Sequence, residues 1–200
     1  MPAAASSRRV TGARYRRGMT IIAEAADVPV REATAEDIPE ILDMIYELAR
    51  NEGYLGNVRT TEEQLLQLLF PEAAGSRANT PTGLPAAYCL VVDAESGDGL
   101  WGMALWYLTV STWEGRYGIH LEDLYVRSEA RGKGVGKALV MTLAALCEEH
   151  GYPRLEWAVQ DSNEHARAFY RSLRADELEE WLTNRLSGRP LRALAEEVDL

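Results

Sequence analysis

Cysteine is scarce in this chain, with only Cys89 and Cys147 among 200 residues, and that scarcity excludes a disulfide-built scaffold. Cys89 falls in a strand-like apolar run and Cys147 on an apolar helical face, so both read as buried, reduced core thiols. A covalent acetyl-cysteine route would need an activating base beside one of them, and neither has one nearby in sequence. Long apolar runs are also missing. None approaches the roughly 18 residues needed to cross a bilayer, and the first apolar stretch, 21–26, is interrupted by Glu24 and too short for a signal-peptide core. No membrane partner is expected, and a cytoplasmic location follows. Basic charge is in deficit as well: 21 Lys and Arg stand against 31 Asp and Glu, for a formal net charge of -10. The basic footprint that binds phosphate backbones is therefore absent, and no nucleic acid partner is expected. An acidic surface serves solubility first and favours cationic partners second.

What is present allows one substantial core, since 46% of the 200 residues are hydrophobic. The expected organisation is a basic tail, residues 1–18, followed by a single domain, residues 19–200. The tail holds Arg8, Arg9, Arg14, Arg16 and Arg17 with no acid and no sustained apolar period, and reads as disordered. A nucleic-acid-binding arm and sequence upstream of a start at Met19 are the two other readings; the tail has few aromatics for stacking on bases.

An extended segment, 20–31, interrupted by Pro29, leads to Thr34, which can cap a helix. Ile38, Ile41, Leu42, Ile45 and Leu48 keep helical spacing there, and Pro39 falls in the tolerant first turn. A second helix runs from Thr61 to Phe70, with Gln64 completing a capping box. Residues 71–85 mix Gly, Ser, Asn, Thr and Pro and read as a loop. Strands over 87–92 and 101–110 flank the turn-rich Ser96, Gly97, Asp98 and Gly99, and should pair antiparallel. A strand over 118–126 then meets a glycine-rich turn and a long helix, 134–150, with Leu139, Val140, Leu143, Leu146 and Cys147 facing inward. A strand at 154–159, a helix over Glu164–Ser172, a strand near 178–185 and a closing helix over 190–198 complete an α/β (α+β) pattern.

The most informative stretch is Arg131, Gly132, Lys133, Gly134, Val135, Gly136 and Lys137, set between a strand and a helix. Alternating glycines let the backbone approach a ligand and aim successive amides at one point. The helix start adds partial positive charge, so a pyrophosphate is the natural guest. Two nucleotide motifs are excluded. A Walker loop would need Gly at Arg131 and a hydroxyl at Ala138, and a dinucleotide fingerprint would need Gly at Lys137.

This turn, following the strand Leu121-Glu122-Asp123-Leu124-Tyr125-Val126, resembles the acyl-CoA loop of GNAT N-acetyltransferases. The resemblance implies a mixed, mostly antiparallel sheet flanked by helices, splayed near the strand before the turn. Acetyl-CoA would be the cosubstrate, with no metal. Its pantetheine would pair with the backbone of Leu124, Tyr125 and Val126, and its diphosphate would rest on residues 131–137, to which Arg131 and Lys133 could add charge. Aminolysis of a thioester needs a neutral amine, whereas an alkyl ammonium is almost fully protonated at neutral pH. Glu122 is placed to take that proton, directly or through a water, with burial raising its pKa. Tyr170 matches the family's thiolate partner, and Asn163 its CoA-contacting asparagine. Without the resemblance, Phe169-Tyr170 reads as core and Asn163 as a helix cap.

Within the family the likeness points to the diamine branch, the spermidine/spermine and thialysine acetyltransferases, over about residues 30–181. Arg31-Glu32-Ala33-Thr34 with Asp37, Glu47-Leu48-Ala49, Cys89-Leu90-Val91, Trp113 with Gly115, and Leu121-Glu122-Asp123 carry it. It implies Glu122 as the base, Glu52, Trp113 and Asp123 around a cationic amine chain, and a homodimer. Departures bear on the substrate. Gly53, Tyr54, Leu55, Gly56 and Asn57 stand where polyamine enzymes are rich in acids, and Ser111 replaces an acid near Trp113. Long polycations lose counter-charges, so thialysine, a lysine-like amino acid or a short diamine is as good a candidate as spermidine. Arg174 stands where glycine is usual, implying a different helix end. His120 replaces an aromatic and shares the strand face of Glu122, open to a role in proton removal or in packing. The expected function is transfer of acetyl from acetyl-CoA to the primary amine of a small molecule. A non-catalytic acyl-CoA-binding regulator would be marked by loss of Glu122 or Tyr170, and both are present. A peptide or protein N-terminal acetyltransferase would want an open groove.

Overall fold

Alternating apolar residues build the central sheet in a computed structural model that describes residues 14–15, 19–25, 27–75 and 84–198. The chain divides into two compact units, Met1–Ala158 and Val159–Leu200. The described residues of the first form seven strands in sequence order: β1 (Arg14–Tyr15), β2 (Met19–Ala25), β3 (Val28–Glu32), β4 (Tyr88–Asp93), β5 (Leu100–Ser111), β6 (Arg116–Val126) and β7 (Leu155–Trp157). Neighbours are antiparallel throughout except β6 and β7, which are parallel. The sheet is thus mixed and mostly antiparallel, as the family resemblance implies. Within the tail read as disordered, Arg14 and Tyr15 form β1 and pair with Thr20 and Met19. The rest of that tail lies outside the described residues, as does most of the loop expected over 71–85.

Helix α1 (Ile38–Asn51) follows a 3-10 turn, Ala35–Asp37. Thr34 stands at that entrance as expected, but as donor: its amide and hydroxyl both bond the Asp37 carboxylate, at 2.7 and 3.1 Å. Helix α2 (Glu62–Leu69) opens with the expected capping box, the Thr61 hydroxyl accepting from the Gln64 amide while the Gln64 side chain accepts from the Thr61 amide. Ile38, Ile41 and Met44 of α1 and Leu65 and Leu69 of α2 pack with Cys89, Val91, Met103, Leu105 and Tyr125 on one face of the sheet. Strand alternation sends Leu90, Val92, Ala104, Ile119 and Leu121 to the opposite face. There α3 (Val135–His150) buries Val135, Ala138, Leu139 and Leu143, each large apolar side chain adding about 1.5–3 kcal/mol. Gly102 permits that close approach, since a Cβ on it would lie 2.8 Å from Val135 Cγ1 and 2.9 Å from the Tyr125 carbonyl. Both cysteines are buried and unpaired, and burial raises the pKa of each thiol.

Charge fixes α1 over the sheet. Arg31, only 3% exposed, bonds Asp37 at 2.7 and 2.9 Å and Asp93 at 2.7 and 2.9 Å. Arg127, just past β6, reaches Glu40, Asp43 and Glu47 at 2.8, 3.0 and 2.9 Å. Those three acids recur at helical spacing along one face of α1. Nearby, Asn51 Nδ2 donates to the Tyr125 hydroxyl at 3.5 Å. The C-terminal end of α1 is therefore held beside β6.

The second unit contains α4 (Glu164–Ser172) and α5 (Gly188–Ala195). Asn163 caps α4, its side-chain oxygen accepting from the Ala166 amide at 3.1 Å. Arg167 bridges Glu164 and Glu177. The strand expected near 178–185 does not form. Leu178, Trp181 and Leu182 are 58%, 69% and 85% exposed; their spacing does not alternate, so no face of an extended chain collects them, and a strand without a ladder is not stable alone. The end of α4 also departs from expectation. Arg174 takes φ +63°, so the left-handed cap usual for glycine is kept with arginine, at a cost of roughly 1–2 kcal/mol.

Candidate active site

The polarity of the site comes from an irregularity in β6. Trp106 faces Leu121 and Leu105 faces Asp123 across the β5–β6 ladder, leaving Glu122 as an extra residue, a β-bulge. In a regular strand Glu122 and its neighbours would alternate between faces. With the bulge, Glu122 stays near His120, 3.8 Å from its Nε2, while Asp123 joins the core column of Leu105 and Cys89. Burial first, then the charges of Glu122 and Glu52, push the Asp123 carboxyl up to about 6. Partial removal of water also raises Glu52, which caps the end of α1. Three of the acids marked in the sequence are thus brought together. Sequence alone assigns the burial to Glu122; the structure leaves its side chain 54% exposed and half-buries Asp123 instead, because the bulge residue protrudes from the ladder that its neighbour rejoins.

At the same point β6 loses its other neighbour. β7 pairs only with Ile119, His120 and Leu121, and beyond them no described strand continues along that edge. The Arg127 amide donates to the Trp101 carbonyl at 2.9 Å, so alternation turns the Tyr125 backbone toward β5 and the backbones of Leu124 and Val126 toward the open edge. The Val126 carbonyl accepts there from Arg131 Nε at 3.1 Å. Of the strand residues expected to line the cofactor, Leu124 and Val126 are therefore placed by their backbones, while the Tyr125 side chain belongs to the core.

The glycine turn follows. Gly132 and Gly134 have φ of +78° and +84°, and a Cβ would meet nothing within 4 Å at Gly132 and only Val28 Cγ2, at 3.9 Å, at Gly134. Backbone conformation, not crowding, requires glycine here, and the space above the turn is open. No side chain caps α3, and its first bond runs from the Ala138 amide to the Gly134 carbonyl at 2.9 Å. The amides of Val135, Gly136 and Lys137 are then the free donors of a helix start, a fitting cradle for a diphosphate. Lys133 Nζ lies over the Trp101 ring at 4.1 Å and the Arg131 guanidinium over Tyr125 at 5.9 Å, so both cations rest against the strands.

Trp113 is not brought to the acids within this chain. It is 91% exposed in the turn between Ser111 and Arg116, some six residues along β6 from Glu122, or about 20 Å at strand rise. Tyr170 and Asn163 lie on and before α4 in the second unit. Tyr107 escaped the sequence reading: it pairs with His120 across the ladder, their rings 5.0 Å apart, and burial followed by the Glu122 charge raises its phenol. The adjacent acids Glu122-Asp123 between Leu121 and Leu124 were the one available signal, since they break strand alternation. Among the described residues, no group of three or more His, Cys, Asp and Glu side chains is arranged to hold a metal ion.

Residues 42–174 match the Acetyltransferase (GNAT) family. The thialysine N-epsilon-acetyltransferase of Bos taurus is 35% identical over 179 residues, covering 85% of this chain and 98% of that protein. An L-ornithine N5-acetyltransferase of Arabidopsis thaliana is 26% identical over 197 residues, covering 82% of this chain and 86% of that protein. A solved integron cassette protein from the mobile metagenome of V. cholerae shares the fold, with a TM-score of 0.66 at 24% identity over 84% of this chain and 98% of the other.

Proposed function

The chain belongs to the GNAT acetyltransferase family, and from that premise we propose that it acetylates the side-chain amine of a lysine-like amino acid or a short diamine, with Glu122 taking the proton. It is an acetyl-CoA-dependent N-acetyltransferase acting on the primary amine of a small molecule. The observation that carries the acceptor reading is the cluster of Glu52, Glu122 and Asp123, in which Asp123 is raised by its own burial and by its neighbours. An ammonium group entering that cluster relieves the repulsion among the acids and restores their ionised forms. Three acids suit one or two ammonium groups better than a long polyamine, and the relatives named for thialysine and L-ornithine support the same class.

When bound, acetyl-CoA supplies an acetyl group activated as a thioester. The amides of Val135, Gly136 and Lys137 hold its diphosphate, and the Leu124 and Val126 backbones orient the pantetheine arm along the open edge of β6. Glu122, exposed at the bulge, removes an ammonium proton directly or through a water, leaving a neutral nitrogen to attack. Asp123 and Glu52 hold the positive end of the acceptor. Tyr170 as proton donor to the departing sulfur, Asn163 as a CoA contact, Trp113 at the amine chain, a homodimeric assembly and a cytoplasmic location complete the proposal on the family likeness.

A panel of thialysine, lysine, putrescine, spermidine, spermine and a peptide with a free N-terminus, each mixed with acetyl-CoA and followed by free-thiol release, tests this reading. Saturable turnover with the highest kcat/KM for thialysine, lysine or putrescine is expected. Preference for spermine or for the peptide would contradict it.

A further inference from the structure

We propose that His120 is a positioning residue for proton removal, its imidazole orienting the Glu122 carboxylate and passing the captured proton on to water. The proposal rests on the reading of Glu122 as proton acceptor. Two side-chain contacts and one strand pairing locate the ring. His120 Nε2 lies 3.8 Å from Glu122 Oε2, its face lies against Tyr107 at 5.0 Å between centroids, and its register partner on β7 is Glu156, which is itself held by Arg154 at 3.0 Å. Tyr107 on β5 and Glu122 on its own strand therefore border the ring, while 24% of its side chain stays exposed to solvent.

A separation of 3.8 Å is an ion-pair distance, and a shift of about 1 Å brings the two groups into hydrogen-bond range. Contacts of this kind tighten when substrate closes a site. Proton balance gives the pair a task. In each turnover the ammonium nitrogen loses two protons as the amide bond forms and the thioester bond breaks; the departing sulfur takes one, and the other must reach bulk water. Glu122 can take a new proton only after releasing the last, and imidazoles as a class both accept and donate protons at neutral pH. The groups facing His120 are Glu122 on its own strand, Tyr107 on β5, and Glu156 with Arg154 on β7. Asp123 in turn feels the charges of Glu122 and of Glu52, at the end of α1.

A packing role predicts something different, and His120→Phe separates the two because it keeps the ring against Tyr107 and removes both nitrogens. The test is a double-mutant cycle of His120→Phe and Glu122→Gln, reading kcat/KM for thialysine from pH 6 to 9, with CoA binding confirming that each variant is folded and His120→Gln as a second substitution. His120→Phe is expected to lower kcat/KM roughly tenfold and to change the rising acid limb of the pH profile, yet to cause no further loss once Glu122 is Gln. An unchanged rate and profile in His120→Phe beside a slow Glu122→Gln would overturn the role of His120 and leave Glu122 standing. Equal losses in both backgrounds would overturn it too, since His120 would then act without Glu122. A Glu122→Gln variant as fast as the parent would remove both readings together.

Discussion

The same sheet treats two groups of carboxylates in opposite ways. Around Arg31, burial would raise Asp37, but the Arg31 guanidinium and the Thr34 amide outweigh it and hold the carboxyl below its ordinary range. Burial likewise works against the charge of Arg31, and Asp37 and Asp93 overcome it, so the guanidinium is raised. At the β6 bulge burial has no such opponent: Glu122 and Glu52 add their charges to it, and Asp123 rises to about 6. A buried charge with a fitted partner is structural. One crowded by like charges is a standing demand for a cation, and strain of that kind gathers at functional sites.

Arg31→Met would leave Asp37 and Asp93 without their partner and should cost about 3–5 kcal/mol in urea unfolding; a loss below about 1 kcal/mol would show the network to be ornamental. Glu122→Gln should lower kcat about 100-fold in the free-thiol assay while leaving unfolding midpoints close to the parent. The smallest effects distinguish the two groups by sign. A raised carboxyl makes the folded chain bind more protons than the unfolded one between the ordinary value and about 6, so stability falls as pH rises through that window and stays lower above it. Asp123→Asn should therefore stabilise the protein by on the order of 1–2 kcal/mol at pH 8 and confer no such gain at pH 4. Asp37 is lowered, its contribution is present at neutral pH and lost as pH falls, and Asp37→Asn should destabilise at pH 8. Urea melts at both pH values read the two signs directly.

Much of this was legible in the chain. Helical spacing from Ile38 to Leu48, the Thr61–Gln64 capping box and the strand–glycine–helix order around Gly134 are local signals, and the structure keeps them. The acids of the site were also visible as residue types. Their arrangement was not, because it depends on register: one extra residue in β6 decides that Asp123 is half-buried and Glu122 exposed, and the β5–β6 turn decides that Trp113 stands at the far end of the hairpin. Apolar content alone misled at 178–185, where the residues suit a strand but lack its alternation. At Arg174 the absence of glycine misled in the other sense, because the helix-end geometry tolerates arginine.

In the proposed mechanism the glycine turn grips the cosubstrate while the bulge acids act on the amine, two separable parts of one site. Calorimetric titration of CoA into the parent protein, Glu122→Gln and Gly134→Val tests this most directly. Equal, saturable binding to the parent and Glu122→Gln is expected, with affinity at least about tenfold weaker in Gly134→Val, whose φ of +84° disfavours any side chain. Undiminished affinity in Gly134→Val, or no saturable binding to the parent, would contradict it.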